Sequence, residues 1–302
     1  MQAISYYLTL PFLYFFSALP LKLLYFLSDV LVFPVLYYVA GYRKEVVRTN
    51  LLNAFPEKTD QERNAIEKKF YRYLSDLFVE TIKVFTISKR ELLKRMEYQP
   101  EPEAFSKWFR EGRSYVLTLG HFGNYEWLGT SLDLGFTHKG TGPFRQMSNP
   151  YFNRLFLRSR SKYGTILYPT YQTVKEIVRL KGQPINVTLA NDQAAPPKKS
   201  YWTTFLNQDT SFFVGTEKIA RDFDMPVVFG KIQPKKRGYY KVSYEIISEH
   251  PAEAEPGEIM EKHARLLENQ ILEHPEFWLW SHRRWKHKRP DGVDVGFRLK
   301  KN

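Results

Sequence analysis

No cysteine occurs anywhere in the 302 residues. Disulfides, thiolate metal sites and cysteine nucleophiles are therefore excluded, while the redox compartment stays open. Acidic residues are scarce beside basic ones, 32 Asp+Glu against 45 Lys+Arg, which leaves a formal charge of +13 and a pI near 9.6. That deficit points to an anionic partner: nucleic acid, a phospholipid surface or an acidic protein. No G-x-S-x-G elbow is present, and Ser114 lies on the wrong side of its strand to be a triad serine. Internal repeats and low-complexity tracts are also absent.

What the chain has in excess is aromatic and apolar. Phe, Tyr and Trp make up 16%, with 23 Phe and 20 Tyr, a composition that beside basic residues suits a membrane interface or single-stranded nucleic acid. Ile4 to Ala40 reads ISYYLTLPFLYFFSALPLKLLYFLSDVLVFPVLYYVA and carries only Lys22 and Asp29 as charges. Pro20 divides it into Tyr6–Leu19, short for a span, and Leu21–Ala40, which meets the roughly 20 residues a span requires. Asp29 and Pro34 count against a simple lipid-exposed helix. A buried hairpin of a soluble fold is one reading; a membrane anchor that spans once or lies within one leaflet is the favoured one. A secretory signal fits less well, because no Lys or Arg precedes the apolar run. Arg43, Lys44 and Arg48 follow at once, so the positive-inside rule places the body in the cytoplasm.

Length allows one substantial core plus an appendage. The expected organisation is an apolar membrane anchor at 1–42, an α/β domain at 43–290 and a basic C-terminal tail at 291–302. A basic helix is expected from Arg43 to Asn53, then one opened by the cap signature Thr59-Asp-Gln-Glu62 and running to about Val84. After a short helix through Arg90–Arg95 and a Pro/Glu-rich stretch at Gln99–Glu103, strands and helices alternate. Strands are expected at Tyr115–Leu119, Pro143–Gln146, Ile166–Tyr168, Ile185–Leu189, Pro226–Gln233 and Tyr239–Ile247. Helices are expected at Tyr125–Leu134, Asn149–Tyr163, Thr173–Lys181, Gly215–Phe223 and Glu258–His274. The fold class is α/β: a central, mostly parallel mixed sheet flanked by helices, with an N-terminal apolar helical membrane anchor.

Histidine followed five positions later by an acid occurs three times, at His121/Glu126, His250/Glu255 and His263/Glu268. On one continuous helix such residues lie about 140° apart, so His263 and Glu268 diverge. His250 and Glu255 share a polar loop with Pro251 and Pro256. Only His121 follows an apolar strand, where open α/β sheets place their sites. Asn124 is a plausible N-cap there, and Glu126 falls in the first helical turn. A carboxylate so placed accepts one imidazole N–H and frees the other nitrogen to take a proton. The competing role is a turn histidine and a glutamate that complements the helix dipole. With no protein nucleophile nearby, such a pair activates a hydroxyl or amine brought by the substrate, with no covalent enzyme intermediate.

GHFGNYEW resembles the H-x4-D/E block of membrane acyltransferases acting on lysolipids, in the glutamate form of the late acyltransferases of lipid A biosynthesis. FRQMSNPYFNRLFLRSRSKYG (Phe144–Gly164), LANDQAAPPKKSYWTTFLNQ (Leu189–Gln208), Gly215–Ala220 and PEFWLWSHRRWK (Pro275–Lys286) are similar to that family's later blocks. The E-G-T-R phosphate block of the glycerolipid branch is missing. Asn207 stands where the family usually has Gly, so a different turn is expected there.

The resemblance implies an inner-membrane enzyme facing the cytoplasm that moves a fatty acyl chain to a hydroxyl of a lipid A precursor, an anionic lipid. The donor is acyl carrier protein or acyl-CoA. His121 is the implied general base and Glu126 its partner; no cofactor and no metal is implied. Thioester attack builds charge on the carbonyl oxygen, for which the amides near Gly123 and Asn124 are candidate donors. Arg145 is a candidate phosphate grip, and Asn149 belongs to the same block. Asp192 and Gln193 end a strand and are candidates for binding sugar hydroxyls or holding Arg145. Arg283 and Arg284 suit an anionic interface. Lys198, Lys199 and the helix bearing Arg154, Arg158, Arg160 and Lys162 suit acidic carrier protein or lipid head groups. Other acceptors, an amino-acid lipid, a lysophospholipid or a glycolipid, fit the same chemistry. Outside enzymology, a membrane-associated nucleic-acid-binding protein accounts for the charge but not for the apolar N-terminus or the ordered blocks, so no nucleic-acid partner is expected.

Overall fold

The computed structural model describes residues 2–293 together with Val295 and Gly296; the remainder of the expected basic tail lies outside the described residues. Seven strands form one sheet in the order β1 (Met96–Tyr98), β9 (Tyr239–Ser248), β8 (Val227–Lys236), β2 (Tyr115–Leu119), β5 (Ile185–Ala190), β3 (Lys139–Phe144), β4 (Ile166–Pro169). From β8 to β4 the strands are parallel, β8 and β9 pair antiparallel, and β1 is parallel to β9. The YVLTL run of β2 is buried along its whole length, as a strand covered on both faces must be. Its β-branched and apolar side chains pack into two cores, one on each side of the sheet. Val116 faces the core holding Ile259, Ala264 and Leu267 of the helix Glu258–Glu273, and Leu117 faces the core holding Phe105, Trp108 and Trp127.

The helix expected after Thr59 runs over Asp60–Lys83 and is closed by a complete capping box, with Thr59 and Glu62 bonding reciprocally. This long helix, α4, counts after α1 (Gln2–Ala18), α2 (Leu21–Leu27) and α3 (Lys44–Ala54), and is followed by α5 (Lys89–Arg95), α6 (Glu103–Arg110), α7 (Tyr125–Thr130), α8 (Leu132–Gly135) and α9 (Pro150–Arg160). Several elements escape the sequence pattern, among them the short edge strand β1. The helix Glu103–Arg110 was hidden behind the Pro/Glu-rich segment that precedes it. The strand expected at Pro143–Gln146 begins earlier, at Lys139, through a Gly-rich KGTG stretch with low strand propensity. A separate antiparallel hairpin, β6 (Ser200–Phe205) with β7 (Gln208–Phe213), occupies a stretch for which no strand was expected, around the turn expected at Asn207. Its two-residue turn has positive φ at both Leu206 and Asn207, and asparagine tolerates that conformation nearly as glycine does. The Gly-to-Asn departure therefore keeps a left-handed turn position.

The apolar N-terminus is helical on both sides of a break at Leu19–Pro20, and Leu21–Val39 is long and apolar enough to cross a membrane by length and composition. Beyond α2 it continues through wider π-type turns at Ser28–Val32 and Val35–Val39, on either side of Pro34, whose missing N–H breaks the regular ladder. Phe12, Phe15, Phe26, Val30 and Leu31 are each more than half exposed. The other face is fastened to α4: Tyr25 Oη donates to Glu80, Ser28 Oγ to Asp76, and Arg237 bridges Asp29 and Asp76. Asp29, the charge that argued against a lipid helix, is thus neutralised by a partner on the β8–β9 turn.

Candidate active site

The sheet register assembles the site. β2 and β5 lie side by side with Leu119 opposite Ala190. Two residues beyond each strand end stand His121 and Asp192, so the parallel pairing alone brings them together. Asp192 Oδ1 lies 2.5 Å from His121 Nδ1, and Asp192 Oδ2 accepts the His121 backbone N–H at 2.7 Å and the Trp278 indole N–H at 2.8 Å. The expected hydrogen bond from His121 to Glu126 is not formed; the Nδ1 partner is Asp192. Glu126 instead takes both arms of the Arg160 fork, at 2.8 and 2.7 Å.

The reason lies in the local backbone. Asn124 caps helix α7 (Tyr125–Thr130) by accepting from Trp127 N, which carries Glu126 toward helix α9 (Pro150–Arg160). Tyr125 lies between, its ring edge-to-face with the imidazole at 4.8 Å. Of the two glycines flanking His-Phe, Gly123 is required by its backbone, and Gly120 leaves room for the tip of the Leu267 side chain. A Cβ at Gly120 would lie 2.5 Å from Leu267, and Gly123 has φ +57° with a Cβ position 2.9 Å from Ile232.

Electrostatics follow from burial and pairing. Burial pushes the His121 pKa down, but the Asp192 charge and hydrogen bond, with a smaller contribution from Glu126, more than reverse this and raise it. Burial would raise the Asp192 carboxyl, yet the imidazole and the donated hydrogen bonds hold it well below the usual carboxylate range. The pair is an aspartate-held imidazole, with Nδ1 committed and Nε2 without a hydrogen-bond partner among the described residues. Its side chain retains 19% of its exposure.

Beneath the turn lies a support that sequence reasoning missed. Glu80 of α4 is fully buried and accepts hydrogen bonds from Asn124 Nδ2, Tyr240 Oη and Tyr25 Oη. Tyr73 Oη donates to the Gly123 carbonyl, and Gly123 N–H donates to the Phe277 carbonyl. The Gly123 amide, one of the expected oxyanion donors, is thereby spent on holding the turn, while the Asn124 side chain serves as the expected N-cap and also donates to Glu80. A polar residue within the apolar stripe of α4 was the available signal, and it named no partner.

The remaining expected residues separate. Arg145 is exposed on the loop after β3, at the same sheet edge as His121, and Arg283 is exposed too. Asn149 caps α9, accepting from Tyr151 N and Phe152 N. Gln193 is half-buried next to Asp192, which contacts His121 rather than Arg145. Arg284 departs most from expectation. It is only 2% exposed, stacked over Phe212 and bonded to the Ser211 carbonyl, so it does not meet an interface. Burial presses its pKa down to about 10, partly countered by Asp192. Of the basic residues expected on this helix, Arg160 is paired, and Lys162, in the turn beyond its end, is tied to the Val84 and Ile87 carbonyls, while Arg154 and Arg158 line an open groove.

None of the curated proteins matches this chain. A family model, described as bacterial lipid A biosynthesis acyltransferase, matches residues 1–287. Its span takes in the apolar helices, the sheet, the His121 turn and the tryptophan-rich closing segment, and the chain therefore belongs to the bacterial lipid A biosynthesis acyltransferases.

Proposed function

We propose that the protein transfers a fatty acyl group from a thioester, carried by acyl carrier protein or coenzyme A, to a hydroxyl of a lipid A precursor. His121 is the general base. Its Nε2 takes the hydroxyl proton as the oxygen attacks the thioester carbonyl. The C–S bond then breaks, and the imidazolium returns the proton to the departing thiolate. Asp192 fixes the tautomer and stabilises the imidazolium, a contribution of the kind worth roughly 10²–10⁴ in rate. Because the acceptor supplies the nucleophile, no acyl-enzyme forms.

Arg160, steadied by Glu126, still has its Nη1 to offer, and serves as the cation for the developing oxyanion. Arg145 and Arg283, exposed and basic, act as contacts to acceptor phosphate, with Asn149 and Gln193 beside them. The exposed apolar side chains of residues 2–39 sit in the lipid of the inner membrane, with the catalytic domain on the cytoplasmic side.

The observation that carries this reading is the 2.5 Å contact between Asp192 and His121 Nδ1, which prepares Nε2 to accept a proton. Incubating membranes with acyl carrier protein thioesters and candidate acceptors tests it. Transfer is expected with wild type and lost with His121→Ala; equal transfer by both ends the mechanism. Transfer to a lysophospholipid but to no disaccharide moves the assignment to another acceptor.

A further inference from the structure

Apart from the His121 turn, a cleft of about 420 Å³ opens between α4, the β8–β9 turn and the segment before Trp278. Five basic side chains line it, Lys69, Arg72, Lys235, Lys236 and Arg237, against two acids, Asp76 and Glu276. Two of the cations are already satisfied: Lys235 pairs with Glu97, and Arg237 with Asp29 and Asp76. Lys69, Arg72 and Lys236 have no ion-pair partner among the described residues. The cleft therefore keeps an unbalanced positive charge over a base of Tyr73, Tyr240, Phe277 and Pro234.

Its position narrows the ligand. Arg72 lies over the ring of Phe33, 5.1 Å from the centroid, and Arg237 clasps Asp29. Both contacts belong to the Leu21–Val39 helix, whose Phe26, Val30 and Leu31 are exposed. A ligand seated here meets cations on one side and a lipid-facing apolar helix on the other. Nucleic acid and acidic protein offer the charge without the hydrocarbon; a phospholipid offers both. One guanidinium fork and two ammonium groups suit the oxygens of a phosphodiester.

We propose that this cleft binds the phosphate group of a membrane phospholipid, with Lys69, Arg72 and Lys236 as its cations. The assignment rests on the lipid-facing reading of the N-terminal helix and not on the acyl-transfer step. The cleft also touches the catalytic turn, since Tyr73 and Phe277 hold the carbonyl and N–H of Gly123. An occupied cleft thus braces the walls on which the His121 turn rests.

Vesicle flotation of the full-length protein tests this without any acyl transfer, so failure of the proposed reaction leaves the result intact. Vesicles of phosphatidylcholine alone are compared with vesicles containing phosphatidylglycerol. The K69Q/R72Q/K236Q variant is expected to lose about a hundred-fold of the preference for anionic vesicles, from about a five-fold share per basic side chain near the surface. The K107Q/R110Q/K181Q variant makes the same charge change at the opposite edge of the sheet and is expected to keep that preference. Equal loss in both variants, or none in the first, overturns the site. Displacement by inorganic phosphate at matched ionic strength assigns the cleft to free phosphate and overturns the lipid assignment. Binding of the lipid A precursor from phosphatidylcholine vesicles, sensitive to the first variant alone, makes the cleft an acceptor subsite and likewise overturns it. If the triple variant fails to fold by circular dichroism, Arg72→Gln alone is expected to show the five-fold share.

Discussion

Two buried carboxylates, Asp192 above the catalytic turn and Glu80 beneath it, differ in one respect that decides their charge. Each accepts three hydrogen bonds or more, and each is shut away from water. Asp192 has an imidazole beside it and is held low. Glu80 meets only hydroxyl and amide donors, and burial, helped by the nearby Asp76 charge, pushes it up to about 7 despite them. Hydrogen bonds from neutral groups satisfy a carboxylate, but in this interior only an ionisable partner keeps it charged. On the proposed mechanism the first carboxylate holds charge for chemistry, while the second holds position.

The largest effect expected from breaking this contrast falls on Asp192. Asp192→Asn should cut kcat/KM by roughly 10²–10⁴ and move the acid limb of its pH profile downward, because the imidazole loses the charge that raises its pKa. An unmoved limb would separate Asp192 from the base. Glu126→Gln sharpens the same point. If Asp192 rather than Glu126 governs the imidazole, this variant shifts the limb less than Asp192→Asn does. Its melting should change by no more than about 1 kcal/mol, as for a partly exposed ion pair.

Beneath the turn the expected effects are on stability. Glu80 has a raised folded pKa, so its contribution is complete below about 4.5 and gone above about 7. Through that window wild type should lose roughly 3 kcal/mol that Glu80→Gln does not lose, measured as the difference between their melting curves at each pH. The Asp192–His121 pair runs otherwise. Its aspartate contribution disappears as acid protonates the carboxylate, and its histidine contribution disappears as pH rises through the raised imidazole value. Tyr25→Phe removes one donor from Glu80 and should cost about 1–3 kcal/mol, with the smaller figure where the carboxyl is neutral.

The sheet was largely legible because its strands are short apolar runs bounded by glycine or proline. Tyr115–Leu119 appears with the bounds the residues suggest, and the long helices differ by a residue or two. His121 was legible from its place after such a strand. Its partner was not, because Asp192 is 71 residues away and the link runs through the pairing of β2 with β5. The local spacing pointed to Glu126, yet the α7 cap turns that side chain toward Arg160. Arg284 misled for a related reason. A run of basic residues in a tail resembles a solvated surface, and only the hairpin over it shows that one of them is enclosed. Glu80 stood out only as a polar residue within an apolar stripe, and nothing local named its three partners, which come from three other elements.

The fastening of the Leu21–Val39 helix to α4 and to Arg237 has a geometric consequence. A helix joined to its domain by a loose linker lets the domain tilt and rise above the bilayer. Here the joints are side-chain bonds along the same α4 that carries Tyr73 and Glu80 to the catalytic turn. The height of His121 relative to the lipid-facing side chains is therefore a fixed length of the protein. On the proposed function, such a molecule would measure depth, selecting acceptor hydroxyls by how far they stand from the plane of the membrane as well as by their chemistry.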